Sequence, residues 1–154
     1  MANTGKTSLL GTVVEVQKKG ETAAWEKFVC NSGALDIDFG EYQTSKSEPC
    51  LEDGKTEDIF EGLEYSEQTF KYVWTQALTN AADTKIKEAF DTKGVQEVEF
   101  RTTMNNKTGS EAVGTTYIIP FKIKAYKHLG NDDKVWTTEI KVIQTGEPVE
   151  TAAA

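Results

Sequence analysis

The residues able to do chemistry are few. His128 is the one histidine, and it stands beside Lys124 and Lys127 at the end of a strand-like run, with no carboxylate in local register to orient it. A nucleophile, base and orienter must touch one another, an arrangement distant residues of any chain could supply, so this histidine is read as solvent-facing. The acidic pairs Asp36/Asp38 and Glu97/Glu99 lie two residues apart and hence on one face of a strand, as a glycosidase or a calcium site would require. A wetted strand face is the plainer reading. Gly5-Lys6-Thr7-Ser8 matches the end of a phosphate-binding loop, but that loop needs a glycine five residues earlier and a preceding strand. Glu52-Asp53-Gly54 lacks the alternating oxygen ligands of a calcium loop, and Asn106-Lys107-Thr108, formally a glycosylation sequon, means only a turn unless the chain is exported. Cys30 and Cys50 are too few for a disulfide framework, fit no zinc spacing and are read as reduced thiols. Trp25, Trp74 and Trp136 could form a sugar platform, but spread over three strands they read as core or interface anchors. No catalysis, metal or cofactor is expected.

Composition bounds what is left. A chain of 154 residues fits one domain, and such a domain buries roughly 70% of the surface its unfolded form exposes. Hydrophobic residues at 38% and charged residues at 27% exclude a disordered tail, and no apolar run approaches a spanning helix. A soluble chain is expected. Leu9-Leu10 is followed at once by Gly11-Thr12, too short an apolar stretch for a secretory signal. Net charge is −8, and it is concentrated: residues 36–67 hold eleven acids against Lys46 and Lys55, a net −9, while the rest of the chain carries +1. That segment forms a face or loop whose field repels anions. Arg101 is the single arginine, and arginine is the preferred phosphate clamp, so tight nucleic-acid recognition is not expected.

The elements that must carry these residues are mostly strands. Leu10–Lys18 and Ala24–Asn31 flank a Lys19-Gly20-Glu21 turn and suit a hairpin, and Leu35–Phe39 alternates strictly between apolar and acidic residues up to Gly40. Residues 41–62 show neither period and read as a long loop, whose Ile59-Phe60 pair suggests that it folds onto something apolar in a neighbouring subunit. Alternation resumes over Glu64–Trp74. Asn80–Asp91 is predicted as the one helix: Asn80 caps it, Asp83 favours its first turn, Ala82, Ile86, Ala89 and Phe90 form its apolar stripe, and Gly94 ends it. Val95–Met104, Thr115–His128 and Lys134–Thr145 then form a meander, with turns at 105–109 and 130–133, in which Pro120 demands an edge, a bulge or a bend. The expected class is mainly β, a β-sandwich or flattened barrel with one flanking α-helix, a long loop and extended terminal arms.

This order of parts resembles the major tail tube protein family of long-tailed bacteriophages over residues 8–150. "LDIDFGEYQTSKSE" (35–48) is similar to that family's lead into its long loop, "GLEYSEQTFKYVW" (62–74) to the following strand, "AADTKIKEAF" (81–90) to the flanking helix and "EIKVIQTGEPVE" (139–150) to the terminal strand and exit. The resemblance implies one tail tube domain over 1–154, with an N-terminal arm (1–9), an inter-subunit loop (41–62) and a C-terminal arm (146–154). It implies a structural virion protein, assembled in the host cytoplasm, whose hexameric rings stack into a non-contractile tube for genome ejection. Tape-measure, tail-tip and tail-terminator proteins are the implied partners, and DNA passes without specific binding.

An acidic bore fits that role, because it repels phosphate where a basic one would trap it. Asp36, Asp38, Glu97 and Glu99, each opposite an apolar set, are the lumen candidates. The inter-subunit candidates are Glu52, Asp53, Glu57, Asp58, Ile59 and Phe60 of the loop, facing Lys122, Lys124 and Lys127 of a neighbour. Two alternatives stay open: the inner tube of a contractile injection device, which shares the implied fold, and a monomeric carbohydrate-binding β-sandwich using the tryptophans.

Overall fold

The computed structural model describes residues 7–28, 33–74, 80–130 and 135–154. Gly5, Lys6, Cys30, the side chain of Asn80 and the 131–133 turn lie outside the described residues. In chain order the elements are β1 (Val13–Lys18), β2 (Glu26–Lys27), β3 (Glu41–Lys46), β4 (Asp58–Glu64), β5 (Gln68–Val73), α1 (Asn80–Asp91), β6 (Val98–Thr103), β7 (Thr116–Leu129), β8 (Thr137–Gln144) and β9 (Val149–Thr151).

Period-two alternation builds the body. Val14 and Val16, Phe70 and Tyr72, Val98 and Phe100, Ile119 and Phe121, and Ile140 and Val142 all turn to one side and are buried. Their strands pair antiparallel in the order β2-β1-β6-β7-β8-β5, with β9 beside β7. The sheet curls. Phe28, just past β2, stacks on Phe100 with ring centroids 5.8 Å apart and also meets Phe70 at 5.2 Å and Tyr72 at 4.8 Å on β5. The two ends of the strand order therefore face each other across one aromatic core, a half-barrel. Each such ring pair contributes about 0.5–1.5 kcal/mol beyond its area burial.

The helix spans its predicted residues and flanks the sheet, with Ala82, Ile86 and Ala89 at or below 1% exposure against β1 and β7. Lys93 and Gly94 end it with φ of 55° and 85°, the left-handed exit expected of Gly94. Asp83 does more than favour the helix dipole. It is buried, its Oδ1 accepts bonds from the hydroxyls of Tyr72 at 2.5 Å and Tyr126 at 2.7 Å, and its Oδ2 accepts one from Trp74 Nε1 at 3.4 Å. One carboxylate thus ties α1 to β5 and β7. Burial and the adjacent Asp83 charge push both phenols well above the ordinary tyrosine range.

Pro120 occupies the position its missing amide demands. Along one side of β7, pairing passes from β9 at Thr116–Ile118 to β8 from Phe121 onward, so the proline stands at the handover. Its carbonyl still accepts from Thr145 N at 3.0 Å.

The mainly β class with one flanking helix holds among the described residues, and four local expectations change. Leu35–Phe39 is no strand: Leu35 is buried, but the Asp36 backbone bonds the side-chain amide of Gln68, donating at 2.7 Å and accepting at 3.2 Å, so no ladder forms. Residues 41–62 are no irregular loop, because β3 and β4 pair as a hairpin around a tip at 47–57. The Glu64–Trp74 run breaks at 65–67, where the chain leaves this hairpin for the body. Residues 149–151 run as β9 along β7, and Ala154 N donates to Val113 O at 3.0 Å, so this stretch of the predicted C-terminal arm lies against the body.

Candidate functional site

The β3–β4 ribbon is the feature that the body does not explain. Every residue of β3 and all but one of β4 are exposed, and no other strand or helix packs against the ribbon among the described residues. A lone two-stranded hairpin is marginally stable in water, so something in its sequence must hold it. Tyr42 stacks on Phe60 with centroids 5.6 Å apart although the two side chains are 54% and 67% exposed. Lys46 bonds Asp58 at 2.9 Å near the tip.

A bulge between Tyr42 and Thr44 gives the ribbon two unlike faces. Tyr42, Phe60 and Leu63 fall on one face. Glu41, Gln43, Ser45, Glu61 and Glu64 fall on the other, where Gln43 donates to Glu64 and Ser45 to Glu61 at 2.9 Å. Glu41 and Glu64 are direct cross-strand partners, a like-charge pair that destabilises an isolated ribbon. The ribbon therefore presents exposed aromatics on one side and unneutralised acid on the other, the character of a surface that is completed by a partner.

Its base is rigid. Asp38 Oδ1 accepts from Gly40 N at 2.8 Å and Oδ2 from Ser66 N at 2.9 Å, so a single carboxylate staples the strand entering the ribbon to the one leaving it. Gly40 sits at φ 93°, and a Cβ there would lie 2.7 Å from Leu63 Cγ, so only glycine fits the turn. The Asp-x-Gly spacing was the available signal for this hinge, and sequence reasoning treated Asp38 only as a lumen acid.

The four lumen candidates come from two segments that both meet the end of β8: Gln144 Nε2 donates to Asp38 O at 2.8 Å, and Thr145 bonds Glu97. Asp36 and Asp38 flank the ribbon's base, whereas Glu97 and Glu99 belong to the β6 side. Asp36 is exposed, and its carboxylate has no partner among the described residues. Glu99 accepts from Gln17 Nε2 at 3.2 Å. A hydrogen bond from Thr145, with Lys19 at 3.2 Å, holds Glu97 below the usual carboxylate range.

The inter-subunit candidates divide in the same way. Glu52, Asp53 and Glu57 are exposed at the tip, and Asp58, Ile59 and Phe60 are exposed on β4. Lys122, Lys124 and Lys127 are exposed on β7. Lys124 bonds Glu67 at 2.8 Å, which lowers the Glu67 carboxyl, and Lys127 lies 3.6 Å from Glu139, so two of the three lysines already have partners in their own chain.

The aromatic and histidine candidates also have internal contacts. Trp25 lies under Arg101 at 4.5 Å, and that guanidinium grips Glu15 in two bonds of 3.1 and 2.8 Å, joining β1 and β6. Trp74 and Trp136 are neighbours through a 3.0 Å backbone bond, while Trp25 is engaged by Arg101. His128 is exposed as expected, its Nδ1 lying 2.9 Å from Thr138 Oγ1.

No protein-family model and no curated protein sequence matches the chain. Among solved structures, it is similar to a chain of the cryo-EM structure of the anti-feeding prophage (AFP) baseplate, 6-fold symmetrised. The TM-score is 0.65 at 8% identity, and the match covers 99% of this chain and 98% of that one. At that identity the likeness establishes a shared fold: the half-barrel with its helix is the fold of a chain from that assembly.

Proposed function

We propose that this chain is a structural component of a phage-tail-like particle, which associates with copies of itself into six-fold rings that stack as a tube. The observation that carries the reading is the β3–β4 ribbon, whose exposed Tyr42–Phe60 stack and acidic face want a partner that no other element provides among the described residues. A fold shared with a chain of a six-fold symmetrised baseplate supports a ring. The net acidity of the chain and its single arginine suit a conduit that DNA passes through without being held. Asp36, exposed and unpartnered among the described residues, is the foremost candidate to face the bore. In this reading the chain resides in the particle and performs no reaction.

A second reading places it as a ring at the baseplate end of such a particle, and the neighbour's own assembly favours that position. Negative-stain microscopy of concentrated protein tests the self-association common to both. Six-fold rings or tubes are expected, and Tyr42→Asp with Phe60→Asp should abolish them while the monomer still folds. A wild-type chain that stays monomeric at every concentration overturns the proposal.

A further inference from the structure

A groove of about 540 Å³ with a lysine rim lies between the C-terminal end of α1 and the neighbouring strands β7 and β8. Its apolar wall includes Phe90 and Ile143, the latter 42% exposed, and its rim carries Lys93, Lys122 and Lys124. Asp91 is the one acid on that rim, and Lys87 holds it at 2.5 Å. Lys124 is occupied by Glu67, Lys93 forms no ion pair among the described residues, and Lys122 makes no direct ion pair there although its charge helps to lower Glu97. The groove is thus apolar beneath and cationic above, and its size suits a few side chains.

The ribbon's tip has the opposite character. The turn is closed by Cys50 N to Lys55 O at 3.0 Å and Gly54 N to Cys50 O at 2.7 Å, and it holds Leu51 fully in solvent at 104% exposure. Glu48, Glu52 and Asp53 lie within three residues of that leucine in the chain. An exposed leucine in an acidic turn is the complement of an apolar groove rimmed by lysines. Among the described residues, no other helix or strand of its own chain packs against the ribbon that carries it.

We infer that the α1–β7 groove is the receptor for the ribbon tip of a second copy, with Leu51 seated against Phe90 and Ile143 and with Glu52 and Asp53 paired to Lys93 and Lys122. This rests on the self-association proposed above and gives it an address. The contact explains why residues 36–67 hold net −9 while the remainder carries +1: opposite charges on one chain meet between copies. It also assigns the lysines distinct roles. Lys93 and Lys122 receive the neighbour, and Lys124 and Lys127 serve their own subunit.

Cys50, exposed beside Leu51, supplies the probe. With Cys30 replaced by serine, Lys124→Cys, on the groove rim but outside the proposed pairing, is introduced and the concentrated protein is treated with a short bis-maleimide, with Lys107→Cys in a separate chain as the control position. A covalent dimer and higher ladder linking Cys50 to position 124 is expected, which is lost on dilution and absent from the control. Lys93→Glu with Lys122→Glu should abolish assembly, and adding Glu52→Lys with Asp53→Lys should restore it. Rings or tubes that form without the cross-link overturn the docking while leaving self-association standing. Equal cross-linking at position 107 also overturns it. A chain that never assembles defeats both.

Discussion

Replacing Asp83 probes whether one carboxylate locks the helix onto the half-barrel. Asp83→Ala removes the acceptor of Tyr72, whose side chain is 1% exposed, and of Tyr126. Each bond to a charged group contributes about 1.5–3 kcal/mol, and an orphaned buried hydroxyl costs about 1–3 kcal/mol. Tyr72 bears the larger share of that penalty, eased by Thr138, which also bonds its hydroxyl, while the hydroxyl of half-buried Tyr126 can turn to water. Relief from burying a carboxylate offsets part of the loss. The expected destabilisation is about 3 kcal/mol for Asp83→Ala, and about 1 kcal/mol for Asp83→Asn, which keeps an acceptor but not the charge. Urea unfolding at neutral pH, followed by far-ultraviolet circular dichroism, reads both values. For a domain of this size the alanine variant should melt roughly 6–12 °C lower. A loss below about 1 kcal/mol for alanine, or equal losses for the two variants, would refute the claim that the charged carboxylate is what joins α1 to β5 and β7.

Other outcomes follow from the same contacts. Tyr72 and Tyr126 have folded pKa values raised above the ordinary 10.0, so their neutral forms are the stabilised ones. Their contribution is fully present below pH 10 and is lost as pH rises beyond it, by up to about 1.4 kcal/mol per pH unit for buried Tyr72 and less for half-buried Tyr126. Ultraviolet titration should leave these two phenols unionised until the fold opens. Gly40→Ala forces a Cβ against Leu63 and strains a left-handed turn, and should cost roughly 1–3 kcal/mol at the ribbon's base while global unfolding stays near wild type. Hydrogen exchange of β3 and β4 amides should speed up there, and unchanged exchange would contradict the hinge. Arg101→Lys keeps the charge but loses the two-bond grip on Glu15 and the stack on Trp25, and should cost about 1 kcal/mol by denaturant titration.

How much of this the sequence disclosed depended on whether a residue's burial left a period behind. The helix at Asn80–Asp91 was legible because cap, stripe and terminating glycine agreed. The body strands were legible because Val14/Val16, Phe70/Tyr72 and Ile119/Phe121 each bury one face. The ribbon was invisible for the converse reason. Period-two patterning records burial, and Glu41–Lys46 is exposed throughout, so a true strand reads as loop. Leu35–Phe39 shows the reverse error, since its alternation marks neither a ladder nor a wholly buried side: Leu35 is buried, Phe39 is 58% exposed, and Gln68's side chain takes the place of a neighbouring strand. The site followed the same logic. Ile59 and Phe60 stood out as exposed apolar residues within an acidic run, whereas the Asp38 staple and the Lys93–Lys122 groove depend on contacts between segments far apart in the chain.

The central claim, that this chain completes itself with further copies, is tested most directly by measuring particle mass as concentration rises. Sedimentation or mass photometry should find a species of six times the 17.0 kDa chain, and stacks of it, together with Tyr42→Asp/Phe60→Asp chains that stay at one. A wild-type mass that remains at a single chain throughout, with the Tyr42–Phe60 stack still open to solvent, would contradict the account.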